Sequence, residues 1–87
     1  MFKLQRVIES GMVKLIAIGR IDAAQLPDLQ DLVNSESARD VVLDLLEVTL
    51  VDSEVVRFLV QCETNGLRLM NCTAYIREWM GRESGQQ

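Results

Sequence analysis

The sequence has no histidine, and its 87 residues include only two cysteines and one proline. Without histidine, the chain has no Ser-His or Cys-His pair for nucleophilic catalysis, and two thiols are too few to hold a zinc ion. It also has no glycine-rich loop of the kind that binds phosphate groups. We therefore predict a protein that is not an enzyme and that uses no metal or cofactor.

Long apolar runs are also missing. The longest candidates, DVVLDLLEVTLVD and VVRFLVQC, are broken by charged residues and fall short of the roughly 20 residues that span a bilayer. The N-terminus lacks the apolar stretch of a signal peptide. We expect a cytoplasmic protein without a membrane partner. Cys62 and Cys72 form no CxxC motif and are expected to be buried free thiols, with a disulfide as the alternative.

Basic residues are scarce in the middle of the chain. Between Ile21 and Val56 there are nine acidic residues and one base, which gives this segment a net charge of −8, whereas the two flanks together carry +4. A nucleic-acid-binding protein needs a basic stripe, so no nucleic-acid partner is expected. The acidic segment suits a basic protein partner. It equally suits a solvated helix face that keeps a small domain soluble.

The spacing of apolar residues predicts the element order β-β-α-β-α-β-α. Two N-terminal strands, FKLQRVI and MVKLIAIGRI, are expected to pair as a hairpin across a short turn that contains Gly11. Three helical patterns then alternate with two further strands, Val41–Leu46 and LRLM. The predicted fold is an α/β domain with a mixed, mostly parallel four-stranded sheet and three helices. It is expected to span residues 1–81, with 82–87 as a flexible tail.

The burial of several positions can also be predicted. Residues 15–18 are apolar without a break, which is typical of a strand that is covered on both faces. Asp44, inside the third strand, is expected to accept a hydrogen bond. The last helix is expected to end at Gly81 and to turn four side chains inward, namely Tyr75, Ile76, Trp79 and Met80.

The stretch LVDSEVV, residues 50–56, joins the third strand to the second helix. The simplest interpretation is local: Asp52 or Ser53 caps the helix and contributes about 1 kcal/mol by satisfying free backbone N–H groups. Glu54 then lies in the first turn, near the positive end of the helix dipole. This interpretation explains the stretch without assigning it a function.

The order and spacing of three segments match the pattern of a known family. The segments are GRIDAAQLPDLQDL, VVLDLLEVTLVDS and NGLRLMN. The set resembles the STAS domain family and, within it, the anti-sigma-factor antagonists. The resemblance covers about residues 2–80. The residues that match the pattern of the family are Gly19, Ile21, Asp22, Pro27, Val41–Leu45 with Asp44, Asp52, Ser53, Gly66, Leu69 and Asn71.

The resemblance implies a bacterial, cytoplasmic domain that acts in signal transduction and transcription regulation by binding proteins. In the family, the serine after the turn aspartate is phosphorylated by a partner anti-sigma factor that is a serine kinase. The unmodified form binds that partner and releases a sigma factor. By this resemblance, Ser53 is the phosphorylation candidate. The partner-binding surface is expected to comprise Asp22, Asp52, Ser53, Glu54 and Arg57.

This chain departs from the pattern of the family at two places. The second serine of the turn is Glu54 here, and the glycine is Val55, which disfavours positive φ. Family members usually add a strand and a helix after the last helix found here, so LRLM is expected to be an exposed sheet edge. The alternative function is therefore a structural module of the same fold that is not phosphorylated and that forms a homodimer through this edge.

Overall fold

The computed structural model describes residues 2–35 and 40–84. It confirms the predicted element order and the α/β class. The elements are β1 (Phe2–Glu9), β2 (Met12–Ile21), α1 (Leu26–Ser35), β3 (Asp40–Val51), α2 (Ser53–Thr64), β4 (Arg68–Met70) and α3 (Ala74–Ser84).

The four strands form one sheet in the order β1-β2-β3-β4. β1 and β2 are antiparallel, whereas β2, β3 and β4 run parallel to one another, so the predicted mixed and mostly parallel sheet is confirmed. The hairpin between β1 and β2 turns through Ser10 and Gly11, and both residues have positive φ, 50° and 80°. Two consecutive residues with positive φ match the twist of paired strands, which makes this tight turn compatible with the predicted hairpin.

The helices cover one face of the sheet. Two right-handed crossovers in the same direction, β2-α1-β3 and β3-α2-β4, place their helices on the same side. That side holds the hydrophobic core, in which alternate residues of β2 meet all three helices. The core comprises Val13, Leu15, Ala17, Ile21, Leu29, Leu43, Leu45, Val48, Val51, Val55, Val56, Leu59, Ile76 and Met80.

The other side of the sheet, called here the open face, carries the remaining residues of β2. Ile16 and Ile18 lie there half-buried and do not belong to the core. Val42 is buried on this side, and it too is separate from the core. The prediction that residues 15–18 are covered on both faces is therefore wrong for the part of the chain that the structure describes. Helices cover the Leu15 side alone.

Strand β3 is longer than the predicted Val41–Leu46, and it contains two bulges. Its twelve residues pair with the ten residues of β2, and the register shifts between Ile16 and Ile18 and again between Gly19 and Arg20. Each bulge adds one residue to β3. The burial period consequently changes from two to three, and the buried residues of this half of the strand are Leu45, Val48 and Val51.

Helix α2 ends at an asparagine-glycine pair. Its C-cap is Asn65, and Gly66 follows with φ of +99°, a conformation that glycine adopts without strain. The N–H of Leu67 donates to the carbonyl of Cys62 at 2.9 Å, which closes the last turn. In α1, Pro27 is the second helical residue, where its missing N–H is tolerated. Within residues 2–35 and 40–84, no helix is long and apolar enough to cross a bilayer.

Helix α3 differs from its prediction in two respects. It continues through Gly81 to Ser84, so residues 82–84 are helical rather than part of a tail, and 85–87 lie outside the described residues. Glu83 fixes this last turn because its two carboxylate oxygens accept hydrogen bonds from Arg57 and Trp79. Ile76 and Met80 are buried as predicted, but Tyr75 is 47% exposed and is not a core residue.

Candidate functional site

Two aspartates leave the sheet side by side. Ile21 of β2 pairs with Val51 of β3 at the ends of the two parallel strands. Asp22 directly follows β2, and Asp52 directly follows β3. The carboxyl ends of parallel strands are the edge at which open α/β sheets usually bind ligands. The structure therefore brings these two predicted site residues to one edge of the sheet.

Asp52 joins the start of α2 to the loop after β2. Its Oδ1 accepts a hydrogen bond from the Val55 N–H at 3.0 Å and thereby caps the helix. Its Oδ2 accepts a hydrogen bond from the Ala23 N–H at 2.8 Å, across 29 residues of sequence. Since a backbone donor occupies each carboxylate oxygen, Asp52 positions the surrounding backbone rather than offering a free carboxylate.

Asp22 organises the same loop from the other side. Its Oδ1 accepts a hydrogen bond from the Ala24 N–H at 2.9 Å, and its backbone carbonyl accepts from Gln25 and Leu26. Its Oδ2 lies 3.7 Å from Nη2 of Arg20, and about a third of the side chain is exposed. Asp22 therefore keeps part of its negative charge accessible at the sheet edge.

Ser53 is the first residue of α2, and it is half-buried. Of the two residues that were predicted as caps, the structure selects Asp52. Among the hydrogen bonds of the described residues, none involves the Ser53 hydroxyl. The fold therefore does not need this hydroxyl for capping.

Glu54 and Arg57 complete the surface predicted from the sequence. Glu54 is exposed in the first turn of α2. Arg57 lies four residues after Ser53, so the two side chains are on one side of the helix. The Nε of Arg57 is 3.2 Å from Oε1 of Glu83, and 63% of the arginine side chain is exposed. Arg57 thus connects the start of α2 to the end of α3. The five residues Asp22, Asp52, Ser53, Glu54 and Arg57 are called here the strand-end site.

Val55 is compatible with the fold at the position where the family pattern has glycine. Its side chain is fully buried in the core, and its backbone is helical. The helix begins immediately after Asp52, so no residue of this turn takes positive φ. The substitution consequently builds Val55 into the core instead of straining the turn.

Asp44 and Asn71, two further residues of the matched pattern, lie together beside the first bulge of β3. Asp44 is 5% exposed, and its Oδ1 accepts hydrogen bonds from the Leu46 N–H at 2.9 Å and from Nδ2 of Asn71 at 3.1 Å. Lys14 lies 3.4 Å from its Oδ2. Burial alone raises the pKa of Asp44, but these three donors outweigh it and hold the pKa below its ordinary value. The predicted hydrogen bonding of Asp44 is confirmed, and its contacts are structural.

A cleft of about 510 Å³ lies at the opposite end of the sheet, where sequence reasoning placed no site. It is bordered by the first residues of β3 and β4, Asp40 and Arg68, and by the ends of α1 and α2. In the described part of the chain, every buried side-chain nitrogen and oxygen has a hydrogen-bond partner, and no group of three or more metal-ligating side chains occurs. Nothing in the cleft therefore marks a missing ligand.

Both cysteines are free thiols, as predicted. Cys62 faces the core side of α2 and is buried, whereas Cys72 is half-buried after β4. Burial raises the pKa of the Cys62 thiol to about 11. Burial also raises the pKa of Cys72, although Arg77 partly opposes the effect. A thiol with a raised pKa is a poor nucleophile, so neither cysteine resembles a reactive centre.

No protein-family model matches the sequence, and no curated protein matches it. Among solved structures, the chain is similar to an uncharacterized protein from the DUF3478 family with a SpoIIAA-like fold, from Shewanella loihica PV-4. The two sequences are 12% identical, and the match covers 97% of this chain and 77% of that one with a TM-score of 0.56. At this identity, the likeness concerns the fold. The chain therefore has a SpoIIAA-like fold, the fold of STAS domains and anti-sigma-factor antagonists, as predicted.

Proposed function

We propose that this chain is a protein-binding regulatory domain that acts in the manner of an anti-sigma-factor antagonist. It binds a partner protein through the strand-end site, and phosphorylation of Ser53 weakens that binding. The observation that carries the proposal is that Asp52, and not Ser53, makes the hydrogen bonds at the start of α2. Asp52 supplies both the helix cap and the contact with the Ala23 loop, so the neighbouring serine hydroxyl is left for a partner.

The charge of the strand-end site indicates the kind of partner. Asp22 and Glu54 are accessible carboxylates, and the only base of the site, Arg57, already has Glu83 as its partner. A partner with a basic contact surface fits this arrangement, because complementary charges steer association and suppress wrong partners. A serine kinase that contacts the start of α2 meets these requirements.

A phosphate on Ser53 would leave the fold intact. The start of α2 favours an anion by about 0.3–1 kcal/mol, and Arg57 lies on the same side of the helix, although it is paired with Glu83. Asp52 and Glu54 oppose the phosphate by roughly 1 kcal/mol for each pair of unit charges, at ~6–8 Å and a near-surface dielectric of ~40–60. For a phosphate of about −2 charge, the repulsion exceeds the contribution of the helix start by about 2–4 kcal/mol, and Arg57 offsets part of this excess. The remainder is smaller than the usual stability of a domain, about 5–15 kcal/mol, so the added charge acts mainly on a partner that approaches the site.

In the modification step, the Ser53 oxygen attacks the γ-phosphorus of ATP bound by the kinase. The new O–P bond replaces the bond to the leaving ADP, and a base of the kinase takes the hydroxyl proton. The domain itself supplies the nucleophile and its position. This assignment is consistent with a chain that lacks the groups needed for its own catalysis.

The proposal is tested first by mass spectrometry of the chain purified from its own host across growth conditions. We expect phosphate on Ser53, and its absence under every condition would exclude the switch. The Ser53→Asp variant should melt within a few degrees of the wild type and should lose its binding partner in co-purification. Gln61→Glu is the matched control, because it adds the same charge to an exposed position of α2. A large melting shift in Ser53→Asp, or equal loss of partner in the control, would contradict the proposal.

A further inference from the structure

The open face of the sheet presents apolar side chains to solvent. Ile16 of β2 is aligned with Asp44 of β3 and Met70 of β4, and Val7 of β1 is aligned with Lys14. Met70 is 41% exposed and Val7 is 37% exposed. In the described part of the chain, no helix packs against these side chains, since all three helices contribute to the core on the other side.

The bulges of β3 enlarge this apolar surface. Between the core residues Leu45, Val48 and Val51, the bulged strand leaves Leu46 and Leu50 outside the core, 65% and 51% exposed. Leu46 lies within the first bulge and has no aligned partner in β2. Leu50 is aligned with Arg20, on the side of β2 that also carries Ile16 and Ile18. Several exposed apolar side chains on one face of a sheet are a candidate interaction site.

We propose that a second copy of this chain covers the open face, so that the two sheets pack face to face in a symmetric dimer. The apolar run at residues 15–18 is typical of a strand buried on both faces, and the described helices bury one of them. A twofold axis would place identical apolar patches against each other and bury the second face of both copies. This proposal is independent of the function proposed for the strand-end site.

The charges of the open face favour a second copy over a strongly charged partner. The face carries four bases and four acids, although the whole chain has a net charge of −4. A balanced face does not repel its own copy, whereas the acidic strand-end site would. By strand alignment the charged residues are Lys3, Lys14, Arg20, Arg68, Glu9, Asp40, Asp44 and Glu47.

The open face approaches the size of an ordinary dimer interface. Strands lie about 4.8 Å apart and rise about 3.3 Å per residue, so the face measures roughly 15–20 Å by 26–35 Å, or about 500 Å² in projection. The accessible surface is larger than this projected area because side chains protrude from the sheet. Standard interfaces bury about 800 Å² per partner. Packed sheets would lie about 10 Å apart, with their strands within about 30° of each other.

Pairing through the edge of β4, which the sequence suggested, offers less. β4 has three residues and is hydrogen-bonded to β3 on one side. An edge of this length provides only a few backbone hydrogen bonds. The open face includes Met70 of β4 together with residues of the three longer strands, so face-to-face packing buries more apolar surface than edge pairing does.

Sedimentation velocity of the full chain tests this proposal. The wild type should be dimeric at about 100 µM, and the charge-neutral double variant Leu46→Glu/Leu50→Lys should raise the dissociation constant at least about 100-fold. Both leucines are more than half exposed, so the variant should keep its circular dichroism spectrum and melting temperature. The matched control is Ile8→Lys, at a residue that is 54% exposed but is aligned with Val13 on the helix side.

Three results would overturn the proposal. They are a monomeric wild type up to about 1 mM, a double variant that stays dimeric, and equal dissociation of Ile8→Lys. A monomeric wild type that binds phosphatidylcholine vesicles through Leu46 and Leu50 would assign the open face to lipid instead. Ser53→Asp should remain dimeric, so failure of the dimer and failure of the phosphorylation switch are distinguishable.

Discussion

Asp52 provides the sharpest test of how the strand-end site is built. In Asp52→Ala, the Val55 N–H loses its cap and the Ala23 N–H loses its acceptor. The cap contributes about 1 kcal/mol. The second hydrogen bond lies at an exposed amide and contributes about 0.5–1 kcal/mol. We therefore expect a loss of about 1.5–2 kcal/mol of unfolding free energy, which lowers the melting temperature by roughly 6–16 °C in a domain of this size.

Asp52→Asn separates the two contacts. Asparagine caps helices as well as aspartate does, but its side chain has one acceptor oxygen, and the NH₂ group that replaces the other cannot accept from the Ala23 N–H. The expected loss is the contribution of one hydrogen bond, about 0.5–1 kcal/mol. Stability should therefore fall in the order wild type, Asp52→Asn, Asp52→Ala.

Urea unfolding followed by circular dichroism measures these differences. With an m-value of about 1 kcal/mol per molar, Asp52→Ala should lower the midpoint by about 1.5–2 M without changing m. Amide exchange adds a local readout, because Asp52→Asn should accelerate exchange at Ala23 and not at Val55. Asp28→Ala is the control, since it removes an exposed carboxylate from the first turn of α1 and should change stability by only a few tenths of a kcal/mol.

Two results would refute this account of Asp52. The first is Asp52→Ala with no greater loss of stability than Asp28→Ala, which would show that the two hydrogen bonds do not hold the loop and the helix together. The second is Asp52→Asn with the full loss of Asp52→Ala, which would show that the contacts with Ala23 and Val55 cannot be separated.

Two further predictions concern titratable groups. Because the pKa of Asp44 is lowered from its ordinary value, its contribution to stability is present above the pKa of the unfolded state and is lost as the pH falls through the pKa of the folded state. The difference in unfolding free energy between wild type and Asp44→Asn should therefore shrink in acid, and a constant difference in pH-dependent urea titrations would contradict this. Raised pKa values predict that, near pH 8, Ellman's reagent reacts slowly with Cys72 and reaches Cys62 only on unfolding. Rapid labelling of native Cys62 would contradict its burial.

The fold was largely predictable because its determinants are local. Apolar spacing predicted the order of the strands and helices, because this periodicity depends only on residues that are close together in the sequence. The true length of β3 was not predictable in this way. Its second half repeats every three residues because of the bulges, and a pattern of that period matches neither a strand nor a helix. The end of α3 was missed because Glu83 is held by Arg57, 26 residues away in the sequence.

The position of Asp22 and Asp52 at the edge of the sheet was predictable, but the hydrogen bonds that each of them makes were not. The sequence places Asp22 and Asp52 after neighbouring strands, yet it left the cap of α2 open between Asp52 and Ser53. The register of β2 and β3 favours Asp52 at this position, because it brings the Ala23 N–H to the second oxygen of Asp52. The hydrogen bond between Ala23 and Asp52 joins residues 29 positions apart, so the local spacing of residues cannot predict it. The open face was mispredicted because the apolar run at residues 15–18 does not show whether helices of the same chain cover both sides.

The two bulges of β3 connect the strand-end site to the open face. β3 has two more residues than the segment of β2 that it accompanies, and each bulge takes up one of them. A strand without bulges would end two residues out of step, and Asp52 could not then meet the Ala23 N–H. The same two irregularities leave Leu46 and Leu50 outside the core. The exposed leucines are therefore a geometric consequence of aligning Asp52 with its loop, and a second copy that covers them would hold the strand in the register on which the strand-end site depends.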